Sequence, residues 1–371
     1  MNSSTAAADR GTPESARPDS DRVILSVRGL KKFFEQKKGF FGRTKGYVKA
    51  VNDVSFEIYR GEVFGLVGES GCGKSTLGLT VLRAYDPTAG EVLLDLGGGR
   101  RYDLAQLSNK ELKPLRKEIQ MIFQDPYSSL SPRMTVREIV SEPLVLNGMK
   151  NGPELDEKVA HLLEEVGLNA FHMRRYPHAF SGGQRQRIGI ARALVLNPRF
   201  VVADEAVSAL DVSVQAQIIE LLLKLKNEFD LTYLFISHNL SVVRYFCTTV
   251  GVMYVGKLVE LAPAEELFEN PLHPYSEALM SAIPIPNPYR RNEMRLLPGE
   301  VPDPANPPSG CYFHTRCPFA KPICAAEEPP FRPITGEGRG THFSACHFAG
   351  ELPLESPMKK NKGGSPLKKP L

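Results

Sequence analysis

A mostly parallel α/β fold is predicted by three short stretches in which a continuous apolar run ends in polar residues. They are VFGLVGESGCGKST at 63–76, RFVVADE at 199–205 and LTYLFISH at 231–238. Apolar runs of four or five residues without alternation are the pattern of strands buried on both faces, as parallel strands are. Each run ends in polar residues, and ligands of such sheets gather at the carboxyl ends of the strands.

Composition limits what surrounds this core. At 371 residues, with 42% hydrophobic and 24% charged, the chain is long enough for two domains. The formal net charge of +4 sits partly in the Lys-rich closing stretch, so there is no domain-wide basic field and nucleic acid is not an expected partner. No apolar run approaches the ~18–20 residues of a membrane span, and the opening MNSSTAAADRGTPESARPDSD lacks the apolar segment of a secretory signal. Residues 1–21, rich in Ser, Ala, Asp and Pro, and residues 351–371, rich in Lys, Gly and Pro, are expected to be disordered tails.

The first strand, Val63 to Val67, runs into Gly68, Ser70, Gly71, Gly73, Lys74, Ser75 and Thr76, a G-x-x-x-x-G-K-S loop between a strand and a helical pattern. Glycines let backbone N–H groups curl around phosphate oxygens, and the helix N-terminus adds its positive end. Lys74 would reach the β- and γ-phosphates and Ser75 would hold Mg²⁺. The second strand ends in Asp204 and Glu205. In a nucleotide site the first carboxylate would take Mg²⁺, directly or through water, and the second would polarise the attacking water. The third strand delivers His238 to the same edge, as a candidate sensor of the γ-phosphate.

Between these strands, Ser181, Gly182, Gly183 and Gln184 open a further helical pattern, with Ser181 placed as its N-cap. The chain therefore carries two helix N-termini fit for phosphate, while one nucleotide has one γ-phosphate. A head-to-tail pair of chains, each offering this loop to the other's nucleotide, accounts for the excess.

The ordered set of Gly68 to Thr76, Gln124 after MIF, SGGQ at 181–184, VVADE, SALD at 208–211 and His238 resembles the ATP-binding cassette (ABC) ATPases. The stretches KGYVKAVNDVSFEI, FQDPYSSLSPRMTV, ADEAVSALDVSVQAQI and NPLHPYSEALMSAIPIP are similar to the oligopeptide/dipeptide importer subfamily, and within it to the second of its two paired ATPases. The resemblance implies a P-loop cassette over 22–270, with a mostly parallel core sheet, an antiparallel β layer and a helical insertion at about 125–197. A small Cys-containing extension would follow over 271–350. It implies that Gln124 links Mg²⁺ and the attacking water to a transmembrane partner, and that Asp211 couples two nucleotide sites. Phe34 would stack on adenine, with Phe33 as the competing choice. ATP and Mg²⁺ are the implied ligands. A second ABC ATPase in a heterodimer, two permease subunits and a solute-binding protein are the implied partners, at the cytoplasmic face of the membrane. The segment from Asp125 to Glu142 is expected to dock a permease helix. Three departures stand out: Ala206 replaces a proline usual after the catalytic glutamate, Asn239 an aspartate after His238, and Phe180 the leucine of LSGGQ.

Cys72 and Cys247 are expected to pack as small hydrophobes. Cys311, Cys317, Cys324 and Cys346 follow the Pro-rich LLPGEVPDPANPPSG, which reads as an extended linker. With few large apolar residues, this segment is expected to need an external staple. Four thiolates can hold a 4Fe–4S cluster, which the resemblance implies, or zinc, although C-x5-C-x6-C-x21-C lacks the short pairs of common zinc sites. A metal-free set of thiols is the third reading, and His314, His342 and His347 are nearby substitute ligands.

The expected function is ATP hydrolysis driving peptide uptake. An ABC ATPase acting on DNA or ribosomes is the rival, and the single uninterrupted cassette without sustained heptads speaks against it. A non-catalytic nucleotide sensor is opposed by the presence of Glu205 and His238.

Overall fold

The structure is a computed structural model that describes residues 23–38, 43–283, 297–336 and 340–356. The tail expected at 1–21, and residues 357–371 of the tail expected at 351–371, lie outside the described residues.

Two long strands come first, β1 (Val23–Lys38) and β2 (Arg43–Tyr59), paired antiparallel along their length through several bulges. Next come β3 (Val63–Val67), α1 (Lys74–Val81), β4 (Ala89–Asp95), β5 (Arg101–Asp103), α2 (Asn109–Leu112) and β6 (Ile119–Ile122). The helical insertion holds α3 (Val136–Leu146), α4 (Pro153–Glu165) and α5 (Gly182–Leu194). The core then resumes with β7 (Phe200–Asp204), α6 (Val212–Glu228), β8 (Thr232–Ile236), α7 (Leu240–Phe246), β9 (Thr249–Tyr254) and β10 (Lys257–Pro263). Last come α8 (Ala264–Glu269), α9 (Pro274–Ser281), α10 (Pro322–Ala326), β11 (Arg332–Thr335) and β12 (His342–Ser344).

The main sheet has the order β11-β12-β10-β9-β3-β8-β7-β6, parallel from β9 to β6 and antiparallel from β9 to β11. The expected antiparallel layer is a separate sheet of order β2-β1-β4-β5. In β3, β7 and β8 every residue is buried, and successive side chains feed opposite cores, as the period of two requires. Phe64, Leu66, Phe200, Val202, Leu234 and Ile236 pack with α1 and the antiparallel layer. Val63, Val67, Val201, Ala203, Tyr233 and Phe235 pack with the insertion and later helices.

Local sequence sets the helix starts. Thr135 and Ser181 each accept a hydrogen bond from the N–H three residues on, and Glu138 and Gln184 each accept from the N–H of that cap, closing reciprocal capping boxes. Asn239 caps α7 through Oδ1, which accepts from the N–H groups of Ser241 and Val242. The departure from aspartate at 239 therefore keeps the cap and drops a charge.

Two expectations for the extension are corrected. Its cysteine segment does not rely on an external staple alone, because β12 pairs with β10 and extends the main sheet. The join is a buried polar knot: Glu260, fully buried, accepts from the N–H groups of Leu272 (2.6 Å) and His273 (3.0 Å) and stands 2.7 Å from His342 Nε2. Nor is the Pro-rich stretch a loose linker, since the Pro304 carbonyl accepts from Lys49 N–H at 3.1 Å and ties the stretch to β2. Packing also continues past the boundary placed at 350, where Ser356 is buried and donates to the Phe268 carbonyl.

Removing the carboxylate in Glu260→Ala strands an imidazole and two N–H groups in the interior. The expected loss is about 3–5 kcal/mol, read as a lower midpoint in urea unfolding, with Glu260→Gln losing less because it keeps an acceptor. An unchanged midpoint for Glu260→Ala would mean that this pair does not hold the extension.

Candidate active site

The loop after β3 is shaped by close backbone approach. A Cβ on Gly68 (φ 152°) would lie 2.1 Å from the Met253 carbonyl oxygen, and one on Gly73 (φ 106°) 2.0 Å from that of Ala50. Only glycine fits either position. Lys74, 5% exposed, donates through Nζ to the carbonyls of Gly68 (2.8 Å) and Glu69 (2.9 Å) within its own loop. Burial pushes the Cys72 thiol up, so it packs as a small neutral group.

Ser75 Oγ donates to Asp204 Oδ1 at 2.9 Å, joining the first turn of α1 to the end of β7. Burial holds the Asp204 carboxyl above the usual carboxylate range; the Ser75 hydrogen bond opposes this, and neighbouring Glu205 adds to it. Glu205 takes φ 45°, a left-handed conformation rare for a residue with a side chain, and its N–H donates to the Ile236 carbonyl at 2.9 Å. Its Oε2 accepts from Gln124 Nε2 at 2.8 Å and lies 3.2 Å from His238 Nδ1. Three elements distant in sequence thus meet at one carboxylate oxygen.

These groups line a cavity of about 480 Å³, formed by Val48, Ala50, Ser70, Gly71, Gly73, Lys74, Ser75, Thr76, Gln124, Glu205, His238 and Pro304. The volume falls in the range of small-molecule sites. N–H groups, an ammonium and a hydroxyl occupy one end and a carboxylate with two polar partners the other, an arrangement that can hold a polyphosphate and polarise a water beside it. Asp204 sits behind Ser75, as a metal-holding group would.

Other expected residues stand outside this cavity. Phe34 lies opposite Val48 in the β1–β2 ladder, and its ring meets Tyr85 edge-on at 5.5 Å with Lys32 Nζ over its face. The competing Phe33 donates its N–H to Thr88 Oγ1 at 2.9 Å. Ser181, Gly182, Gly183 and Gln184 form the start of α5, where a Cβ on Gly183 would fall 2.5 Å from Val214 Cγ1. Asp211, exposed, precedes α6 as its N-cap without a side-chain hydrogen bond. Phe180 is buried against the His172 ring. Sequence reading missed Val48, Ala50 and Pro304, which carry no polar signal and reach the cavity only through strand pairing and the return of the extension.

The four cysteines of the extension line one small cavity together with His273, Phe313, His314 and His347. No disulfide joins them. Burial pushes Cys311 up to about 12 and Cys346 up to about 11; the Phe313 and Phe348 N–H groups respectively lower them, and the neighbouring cysteines raise them further. Among the described residues no group of three or more His, Cys, Asp or Glu side chains is arranged to hold a single metal ion. Of the expected substitute ligands, His342 lies away from this cavity against Glu260, while His314 Nδ1 and His347 Nε2 already face the carbonyls of Cys311 (2.8 Å) and Glu327 (3.0 Å).

Residues 51–208 match the family described as ABC transporter, and residues 259–324 that described as oligopeptide/dipeptide transporter, C-terminal region. The oligopeptide transport ATP-binding protein AppF of Bacillus subtilis (strain 168) is 53% identical over 332 residues, covering 89% of this chain and 98% of the relative. The chain belongs to the ABC transporter family of ATP-binding proteins, in its oligopeptide/dipeptide branch. The ATP-binding cassette MJ0796, solved as a dimer in a post-hydrolysis state bound to ADP and Pi, is similar at 29% identity and a TM-score of 0.57, covering 65% of this chain and 99% of that one. CbiO1 from Clostridium perfringens, part of the cbiONQ transporter complex, is similar at 28% identity and a TM-score of 0.56, covering 67% of this chain and 91% of that one. Family and fold together make this cassette an ATP-binding ATPase.

Because Asp204 is buried beside a like charge, Asp204→Asn should stabilise the nucleotide-free cassette, raising Tm by roughly 2 °C. The same substitution should abolish Mg²⁺-dependent ATP hydrolysis. A lowered Tm in differential scanning calorimetry would contradict this account of the site.

Proposed function

We propose that this chain is the ATP-hydrolysing subunit of a membrane importer of peptides, and that Lys74, Ser75, Asp204, Glu205, Gln124 and His238 do its chemistry. The observation that carries the reading is the meeting of Gln124, Glu205 and His238 at the mouth of the phosphate loop. On ATP binding Lys74 turns from the Gly68 and Glu69 carbonyls to the β- and γ-phosphates. Ser75, Asp204 and Gln124 would hold Mg²⁺, which when bound neutralises charge on the β- and γ-phosphates. Glu205 accepts a proton from the attacking water, and His238, released from Glu205, donates to the γ-phosphate. Phe34, on the strand face shared with Val48, is the proposed adenine contact.

A partner cassette's loop, equivalent to Ser181–Gln184, closes on this nucleotide, with Asp211 beside the second site. The ADP- and Pi-bound dimer of the 29% identical cassette supports that arrangement. We propose a heterodimer with a second ABC ATPase, on two permease subunits supplied by a solute-binding protein, and peripheral at the cytoplasmic membrane face. In the described residues no helix is long and apolar enough to cross a membrane. The permease would dock on the insertion near the Asp125–Glu142 segment, where Tyr127 is 59% exposed beneath the Arg185 guanidinium. The name of AppF, a transport protein, favours this role over one on DNA or ribosomes.

The cysteine cavity is proposed to hold a 4Fe–4S cluster. Four unpaired thiols line one space, which matches the number of sulfur ligands that such a centre takes. A lone zinc ion would need all four about 2.3 Å from one point.

Glu205→Gln should retain ATP binding and lower turnover by ~10²-fold or more, measured as phosphate release beside equilibrium binding. Loss of both together would deny Glu205 its role as base. Anaerobically purified protein should carry iron and acid-labile sulfide, about four of each per chain, and lose both in Cys317→Ser. Zinc alone, or neither metal with ATPase activity intact, would exclude the cluster.

A further inference from the structure

The phosphate loop is not held by the cassette alone. Glu69, the second residue of the loop, has partners from three parts of the chain. Its carbonyl accepts from Lys74 Nζ at 2.9 Å, within the loop. Its N–H donates to the hydroxyl of Tyr275, a fully buried residue of α9, at 2.8 Å. Its carboxylate meets the two terminal nitrogens of Arg316 at 2.9 and 3.3 Å. Arg316 lies 247 residues further along, in the cysteine segment, with a side chain 8% exposed. Its Nε donates to the Pro298 carbonyl at 3.2 Å, a third contact that restrains the guanidinium. The same extension sends Pro304 into the wall of the nucleotide cavity.

We propose that the C-terminal extension is a working part of the nucleotide site, with Arg316 as the positioning residue of the phosphate loop. The proposal rests on the reading of residues 68–76 as the ATP loop. Two effects follow from the geometry. When Lys74 leaves the Glu69 carbonyl for phosphate, the Tyr275 and Arg316 contacts remain and keep the loop in its phosphate-binding shape. Arg316 also neutralises a carboxylate carried by the loop that receives the polyphosphate. Only this second effect depends on the charge of the ligand, and it separates a positioning role from a purely structural one.

The test measures binding of MgATP, MgADP and AMP to the full-length chain by titration calorimetry, with thermal unfolding as the fold check. Arg316→Gln should weaken MgATP roughly tenfold, MgADP less and AMP least, and the loss of MgATP binding should shrink as salt is raised. Glu69→Gln, which sheds the charge but keeps an acceptor for the guanidinium, should weaken MgATP less than Arg316→Gln does, and Arg316→Gln with Glu69→Gln should regain the part of the affinity that the unpaired carboxylate had cost. Arg316→Lys, which keeps charge without the fork, should fall between wild type and Arg316→Gln, and serves if Arg316→Gln unfolds. Wild-type affinity in Arg316→Gln, an equal loss for all three nucleotides, or no recovery in the double variant would overturn the proposal. Lys74→Ala tests the reading beneath it: that variant should lose MgATP binding, and unchanged affinity there would remove the ATP loop itself, whatever Arg316 does.

Discussion

A protonated amine almost wholly removed from water must find oxygen partners, and the Lys74 ammonium finds them in the carbonyls of its own loop. That arrangement ties the side chain back onto the turn between β3 and α1 and keeps the loop curled. The glycines on either side let the neighbouring backbone of Met253 and Ala50 press close enough to fix the curl. Ser75, one residue on, then reaches Asp204, which binds the end of β7 to the start of α1. Each later contact at the site depends on that loop holding its shape.

The carboxylates show the tension such a site carries. Asp204 is buried next to Glu205, which disfavours its charge, while Glu205 is held with a left-handed backbone. Both features oppose stability, and both place negative charge where a divalent cation and a water would use it. Gln124 and His238 share the Glu205 carboxylate and so hold it in place. The alanine at 206 is fully packed in the core, and the asparagine at 239 still caps its helix, so neither departure disturbs this geometry.

The extension is tied into the cassette at separated points rather than tethered by its linker. Glu260 and His342 join it to the sheet, Pro304 to β2, and Arg316 to the phosphate loop. Cys317, which lines the cysteine cavity, is the immediate neighbour of Arg316. Burial drives the thiols of Cys311, Cys317 and Cys346 towards the neutral form.

The sequence by itself determined the three buried strands, the phosphate loop, the two carboxylates, His238 and the start of α5. Each is a local pattern: an unbroken apolar run, a glycine spacing, or a cap with its partner three residues on. Tertiary structure alone decided that Gln124, Glu205 and His238 share one oxygen, that Phe34 rests beside Tyr85, and that the extension contributes strands, Pro304 and Arg316. Val48, Ala50 and Pro304 have no chemistry that marks them in a sequence, and an arginine in a Pro-rich segment reads as solvated. Such residues acquire a role only when strand pairing and long-range closure bring separated parts of the chain together, and no local pattern encodes that.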